Sequence, residues 1–450
     1  MSCRHLFCAP LLFALLVSCS SGGSQGHLQA AEAAQRQGKY EAVLREADEA
    51  LSRDPDLVAA KRLRVKALIG MGETVSALDA YEALARRHGA DPKILADLCE
   101  GILRSGMKHE NYFVRSASVK AMGELGDGSN LPVLAMALKD NAPFVRFFAA
   151  ESLGQIGSAA SLRLLETLLE DSDPMVRVSA VKALEGVREP EAAPILVKFS
   201  GDGDLTVRLF ALAALARRGD GAAEKELTQT VRAISADQRA TAAAAMGRTK
   251  NPAFTPSLLP LLSKGDPLTR AYAAEALGEI GDPAAFGPLA SALSDADPGV
   301  RGAAASAIGK LSTPKAVPLL KKTLSDPEGM ARVSAAESLV RLGEPPWEAY
   351  AKTLGDADYG VRHFAVGSLG RVGREEAIEL LKKTLSDENP RVRIATVRAL
   401  GEIGRRVSRE KVMALLYLAL RDPDPSVKIY AAGNLGRFLL AEIGGGPAKT

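Results

Sequence analysis

The residues of this 450-residue chain best able to hold a metal ion or supply a nucleophile are its five histidines and four cysteines. Their spacing does not gather them. His27, His88, His109 and His363 are scattered, with one His-Glu pair at His109-Glu110. A zinc site needs three or four ligands at short, repeated intervals, and Cys3, Cys8, Cys19 and Cys99 offer none. A phosphate-cradling Gly-Lys-Ser/Thr loop, a dinucleotide-binding glycine pattern and a strand-to-helix Gly-x-Ser-x-Gly elbow are equally missing. These residues predict no catalytic site, no metal and no cofactor, so on sequence grounds the chain is not an enzyme.

One cysteine has chemistry of another kind. Arg4 precedes the apolar run Leu11 to Val17, and small residues follow at once, the layout of a secretory signal. The run is too short to cross a bilayer, which takes about 20 apolar residues. Leu16-Val17-Ser18-Cys19 resembles the lipobox of bacterial lipoproteins. The resemblance implies that residues 1–18 are a signal peptide and that Cys19 becomes the first mature residue and carries the lipid. Ser20 after it, in place of Asp, implies by the sorting rule of Gram-negative lipoproteins an outer-membrane address facing the periplasm. An ordinary signal with a chance Cys is the alternative. Ser20 to Gly26 is rich in Ser and Gly, so residues 19–27 are expected to form a flexible tether of roughly 15 Å. Once Cys3 and Cys8 leave with the signal and Cys19 is modified, Cys99 is the remaining thiol, and no disulfide framework is available.

The charged residues are ordered differently. Arg115, Arg146, Arg177, Arg208, Arg239, Arg270, Arg301 and Arg332 stand 31 residues apart, and Arg362, Arg393 and Lys428 continue the series at slightly altered intervals. Six residues before the cation is an acid in most copies: Asp140, Asp171, Asp202, Asp295, Asp326, Asp356, Asp387 and Asp422. Four residues before it stand Asn111, Asp173, Asp204, Ser235, Asp266, Asp297, Asp358, Asn389 and Asp424, side chains suited to cap a helix start. Pro143, Pro174, Pro267, Pro298, Pro390 and Pro425 follow, at the first helical position where a missing N–H is harmless. Val before the Arg, Ala three after it and Leu, Met or Ile seven after it make one apolar helical stripe. Gly126, Gly157, Gly219, Gly281, Gly343, Gly373 and Gly404 are expected to end these helices. A second apolar helix, such as Ala377 to Leu385, separates each copy from the next. The unit is a helix pair.

About eleven such units fill residues 106–440, followed by a tail at 441–450 expected to be disordered. Composition agrees: 47% of residues are hydrophobic but only 5% aromatic, as short stacked helices require. The fold class is therefore all-α, an α-solenoid of stacked helix pairs. With helices about 8–10 Å apart, eleven copies predict a curved rod on the order of 100 Å long with a concave face. Residues 217–264 depart from the pattern, with Ala233 and Lys264 at the Asp column, and predict a local bend.

The recurrent Asp and Val-Arg resemble the HEAT repeat, and the 31-residue length resembles its short phycobilisome-lyase-like variant. The resemblance covers about three quarters of the chain. It implies that the Arg helix is the second of each pair, that it lines the concave face, and that Asp140, Arg146, Asp171, Arg177, Asp295, Arg301, Asp326, Arg332, Asp387 and Arg393 belong to a hydrogen-bonded ladder between repeats. The hydroxylase-like branch holds two irons on several His-Glu pairs, and a single pair cannot supply that site. Residues 28–105 resemble two tetratricopeptide repeats of about 34 residues, carrying Gly38, Tyr40, Ala50 and Pro55, then Gly72, Ala77 and Tyr81. The aromatic and Leu-Gly signatures of each first helix are missing, and a plain helical cap is the alternative.

A net charge of +3, or +2 without the first 18 residues and their Arg4, gives no case for a nucleic-acid partner. On the Arg helix, the second position after the Arg alternates small residues with Phe148, Phe210, Tyr272, Phe364 and Tyr430, which are candidate anchors for a protein or peptide or else packing between repeats. The ninth position carries Arg217, Arg248, Lys310, Arg341, Arg371 and Arg437, a row that either attracts an acidic ligand or complements helix C-termini. The sequence thus predicts a membrane-anchored binding scaffold, with a lyase-like or hydroxylase-like enzyme or accessory as the alternative.

Overall fold

The computed structural model describes residues 23–443 apart from 127, 188–189, 234 and 236–237. Cys19, the expected signal peptide and residues 444–450 lie outside the described residues. Among those described there are 26 α-helices and no strand. They divide into two compact units, one running to Lys108 and taking in the segment from Leu435 onward, the other His109–Asn434.

The first unit contains α1 (Ser24–Arg36), α2 (Tyr40–Arg53), α3 (Val58–Met71), α4 (Thr74–His88) and α5 (Pro92–Gly106). Its odd-numbered helices start at Ser24, Val58 and Pro92, each 34 residues after the last. Gly38 and Gly72 turn the chain with φ of 68° and 80°, a region glycine enters without steric cost. Leu28, Ala31, Val43, Ala47, Ala60 and Leu63 share one core. This corrects the expected tether. The chain is helical from Ser24 because Leu28 and Ala31 are buried, and His27 Nδ1 meets the Glu46 carboxylate at 2.8 Å.

The second unit alternates two kinds of helix: α6 (Tyr112–Glu124), α7 (Leu131–Ala137), α8 (Pro143–Ile156), α9 (Ala159–Thr167), α10 (Pro174–Gly186), α11 (Ala192–Ser200), α12 (Leu205–Arg217), α13 (Gly221–Ala233), α14 (Arg239–Thr249), α15 (Thr255–Lys264), α16 (Pro267–Ile280), α17 (Phe286–Ala292), α18 (Pro298–Lys310), α19 (Ala316–Thr323), α20 (Gly329–Arg341), α21 (Trp347–Thr353), α22 (Tyr359–Val372), α23 (Ala377–Thr384), α24 (Pro390–Arg406), α25 (Arg409–Ala419) and the start of α26 (Pro425–Ile443). The even-numbered helices carry the repeating Arg. Asn111, Asp173, Asp204, Asp266, Asp297, Asp358, Asn389 and Asp424 each accept a backbone N–H at the start of one. Ser235 does not. With neither Pro nor Val in that copy, α14 starts only at Arg239, after Gln238. Gly404 is also corrected: it is buried inside α24, which runs on to Arg406 because the next copy follows after 35 residues instead of 31.

Even-numbered helices pack on one another through glycine. A β-carbon added to Gly154 would lie 2.6 Å from that of Ala183, and one on Gly278 would lie 2.6 Å from the Ala307 Cα. Backbones that close on one layer only make the stack curve toward that layer. The curvature completes a circle: Gly401 on α24 meets Asn434 on α26, and Gly433 on α26 meets Ala121 on α6. The expected open rod is therefore corrected to a closed ring of even-numbered helices, drawn together on one layer where Gly123, Gly154, Gly247, Gly278, Gly309 and Gly370 meet Ser or Ala of the next inner helix.

The Arg side chains tie neighbours together. Arg146 donates from Nε and Nη2 to the Asp171 carboxylate at 2.7 and 2.8 Å, and from Nη1 to the carbonyl of Asp140 in its own copy at 2.9 Å. Arg115 with Asp140, Arg177 with Asp202, Arg270 with Asp295, Arg301 with Asp326, Arg332 with Asp356, Arg362 with Asp387 and Arg393 with Asp422 repeat the ion pair. Two-pronged Arg–carboxylate bonds of this kind fix orientation as well as distance.

The ladder lapses where the sequence departs from pattern. Among the described residues Arg208 donates to the carbonyls of Asp202 and Gly203 and to no carboxylate, and the Asp column of the sequence holds Ala233 in the next copy. A different contact spans this gap. Glu185 on α10, almost wholly buried, takes Arg217 of α12 at 2.7 Å and also Arg248 of α14, two repeats away. One carboxylate thereby bridges two consecutive copies.

Candidate functional site

On each even-numbered helix the residues two before the ladder Arg, and two, five and nine after it, fall on one stripe, at spacings of four, three and four. Where a cavity of about 690 Å³ opens between α10, α12, α14 and α16, all four columns contribute: Met175 and Leu268, Phe210 and Tyr272, Lys182 and Glu275, Arg217 and Arg248. The stripe is the inner wall of the ring, and the cavity sits at the ladder gap.

Phe210 and Tyr272 are thus brought together, Tyr272 38% exposed and Phe210 half-buried between the Lys182 ammonium at 4.8 Å and the Arg248 guanidinium at 5.7 Å. The other candidate anchors stand elsewhere on the wall, each beneath a cation: Phe148 under Lys120 at 4.8 Å, Phe364 under Arg371 at 5.6 Å and the buried Tyr430 under Arg398 at 5.4 Å. A cation over a ring face is attracted by the ring's quadrupole, more so when both are out of water. Burial pushes the Tyr430 hydroxyl up to about 12.

The basic row is largely neutralised by glutamates. Arg217 and Arg248 share Glu185, Lys310 holds Glu279 at 2.6 Å, and Arg341 and Arg371 share Glu337. In the cavity Lys182, Lys250 and Glu275 stay without an ion partner among the described residues. Burial lowers the Lys182 ammonium from its ordinary value, aided by nearby Arg248, and burial raises the Glu275 carboxyl.

Sequence reasoning missed the column two residues before the Arg. Phe113, Phe144, Met175 and Leu268 stand there, exposed, on α6, α8, α10 and α16. On α6 and α8 they belong to a pad of touching rings, Tyr112, Phe113, Phe144, Phe147 and Phe148, with centroids 4.2 to 6.5 Å apart. The signal was a large apolar residue in the first helical turn of a copy, where the cap and proline dominate the pattern. His363 donates from Nδ1 to the Arg391 carbonyl at 3.1 Å, and no group of three or more His, Cys, Asp or Glu among the described residues is placed to hold a metal ion.

A curved stack of helix pairs joined by an acid–Arg ladder defines an α-solenoid. The chain belongs to the HEAT-repeat family, whose sequence profile matches residues 96–173, 131–206, 163–247, 224–292, 255–340 and 347–436. No curated protein sequence matches it. Among solved structures, human deoxyhypusine hydroxylase in complex with glycerol is similar at 23% identity and a TM-score of 0.29, over 62% of this chain and 95% of that one. The phycocyanin lyase complex from Nostoc is similar at 20% identity and a TM-score of 0.33, over 64% of this chain and 92% of that one. An engineered protein is similar at 20% identity and a TM-score of 0.27, over 75% and 98%.

These likenesses are of fold alone. They correct the sequence-based conclusion that the chain is not an enzyme: the repeat fold is shared with structures described as a hydroxylase and a lyase. A missing motif does not decide the matter, because sites are grafted onto a fold in many ways.

Proposed function

We propose that the protein is a binding scaffold, held at a membrane by lipid on Cys19, that grips a protein or peptide on the inner wall of its HEAT ring. The observation that carries the reading is the half-exposed aromatic stripe, concentrated on one wall of a chain that is only 5% aromatic. Large rings set beside cations in a recess are the side chains on which binding energy concentrates. The 34-residue step of the first unit supports reading it as a tetratricopeptide-like adaptor. The apolar run before Cys19 supports a cell-envelope location, with Ser20 favouring the outer membrane facing the periplasm. Replacing Phe148, Phe210 and Tyr272 together with Ala is expected to abolish partner capture in pull-downs from cells, and capture at wild-type level removes the basis for the site.

A second reading, an enzyme or enzyme accessory, is favoured by Lys182 and Glu275, which line one cavity without an ion partner among the described residues and are both shifted toward their neutral forms. Perturbed groups in a cleft are the usual raw material of acid–base chemistry. Metal analysis of the purified protein separates the two cheaply, stoichiometric iron pointing to a hydroxylase-like chemistry.

A further inference from the structure

We propose that the wall from Phe113 to Leu268 seats an extended, acidic segment of a partner protein that carries an apolar side chain at every third residue; this rests on the scaffold reading above. Three observations set the chemistry.

The first is spacing. Phe113, Phe144 and Met175 occupy the same position on three successive inner helices, 52%, 42% and 57% exposed, and Met175 leads into the cavity that Leu268 closes. Successive helices lie about 8–10 Å apart, at the near end of that range where glycine meets alanine. A polyproline-type chain advances about 3.1 Å per residue with three residues per turn, so side chains on one of its faces recur about every 9 Å. The two periods match, one apolar side chain per repeat.

The second is charge. Beside this apolar row, Lys182 and Lys250 line the cavity without an ion partner among the described residues, and Arg217 and Arg248 divide a single carboxylate between them. Acidic residues between the apolar ones complete these pairings. Glu275, itself unpaired at the far side of the cavity, marks where the acidic run stops.

The third concerns what the pad excludes. Rings whose centroids lie 4.2 to 6.5 Å apart touch each other instead of framing a box, and Phe148 already carries the chain's own Lys120 ammonium at 4.8 Å, so a further cation is not what the pad calls for. They form a ridge against which aliphatic or aromatic side chains lie flat, contiguous apolar surface of the sort that marks interaction sites.

The test is fluorescence anisotropy on the full chain with labelled peptides of about 12 residues, Leu at every third position and Asp or Glu between. Saturable binding is expected, weakened at least about tenfold by Phe144→Ala with Met175→Ala, by Lys182→Glu, and by moving the leucines to every fourth position. Phe144 and Met175 are exposed, so their loss leaves the fold intact, which circular dichroism verifies. No saturable binding, equal binding of the fourth-position peptide, or equal binding of a version with Lys for Asp and Glu overturns the proposal. If the peptide fails while Phe148, Phe210 and Tyr272 replacements still abolish partner capture, this inference falls and the scaffold reading stands; if neither has any effect, both fall.

Discussion

Gly433 lies against Ala121, so near that a β-carbon on the glycine would come within 2.8 Å of the alanine's own. The last inner helix thereby touches the first. Leu at Gly433 has no room without separating α26 from α6, a cost of about 1–3 kcal/mol. Gly433→Leu is expected to raise the radius of gyration in small-angle scattering, whereas Gly287→Leu, with nothing within 4 Å, leaves it unchanged. Identical scattering from both variants would refute closure.

Asp326 is nearly buried and accepts two bonds from Arg301. Removing one partner strands the other charge, typically costing about 3 kcal/mol. Asp326→Ala should lose about that much in denaturant unfolding, while Arg208→Ala, which breaks no ion pair among the described residues, should lose clearly less. Equal losses would show that the carboxylates are not what secures the ladder.

Hydrogen bonds from Arg115, Arg270 and Arg301 hold the carboxyls of Asp140, Asp295 and Asp326 below the usual carboxylate range. A group whose folded value is depressed stabilises the fold fully above its unfolded value, about 3.9, and loses that contribution as pH falls through the folded value. Melting temperature should therefore hold down to about pH 4 and decline below it. A melting temperature that rises on acidification contradicts the ladder's electrostatics.

Burial pushes the Cys99 thiol up to about 12, and its side chain faces Gly436. The thiolate is the reactive form. Maleimide at about pH 8 should leave Cys99 unlabelled in the native protein and label it fully in guanidinium. Rapid native labelling would mean that α5 is not packed as described.

Changing Cys19 to Ala tests the anchor. The variant is expected to partition with the soluble fraction after cell disruption, and wild-type protein with membranes. Membrane retention of the variant would remove lipid attachment from the proposal.

The helix pairs were legible because each copy states its cap, its stripe and its stop at fixed distances from one Arg. Where a copy departs from the rest of that pattern, as around Ser235 and after Gly404, the helix end moved. Closure was not legible: the sequence shows a Gly such as Gly154 or Gly278 in most copies, but the angle each contact contributes appears only when backbones meet. The aromatic column at Phe210 and Tyr272 stood out in an aromatic-poor chain. Its continuation through Phe113, Phe144 and Met175 was hidden among residues whose helix-starting role explained the position already. The Glu185 clamp skips a repeat, and no comparison of neighbouring copies exposes a partnership between residues 63 apart.

Open repeat arrays tolerate gain or loss of a unit because each copy answers only to its neighbours. A chain whose last inner helix rests on its first has surrendered that latitude. Duplicating or deleting one 31-residue block would leave either a surplus helix with no seat or a gap with two unsealed edges. The number of copies here is thus under structural constraint.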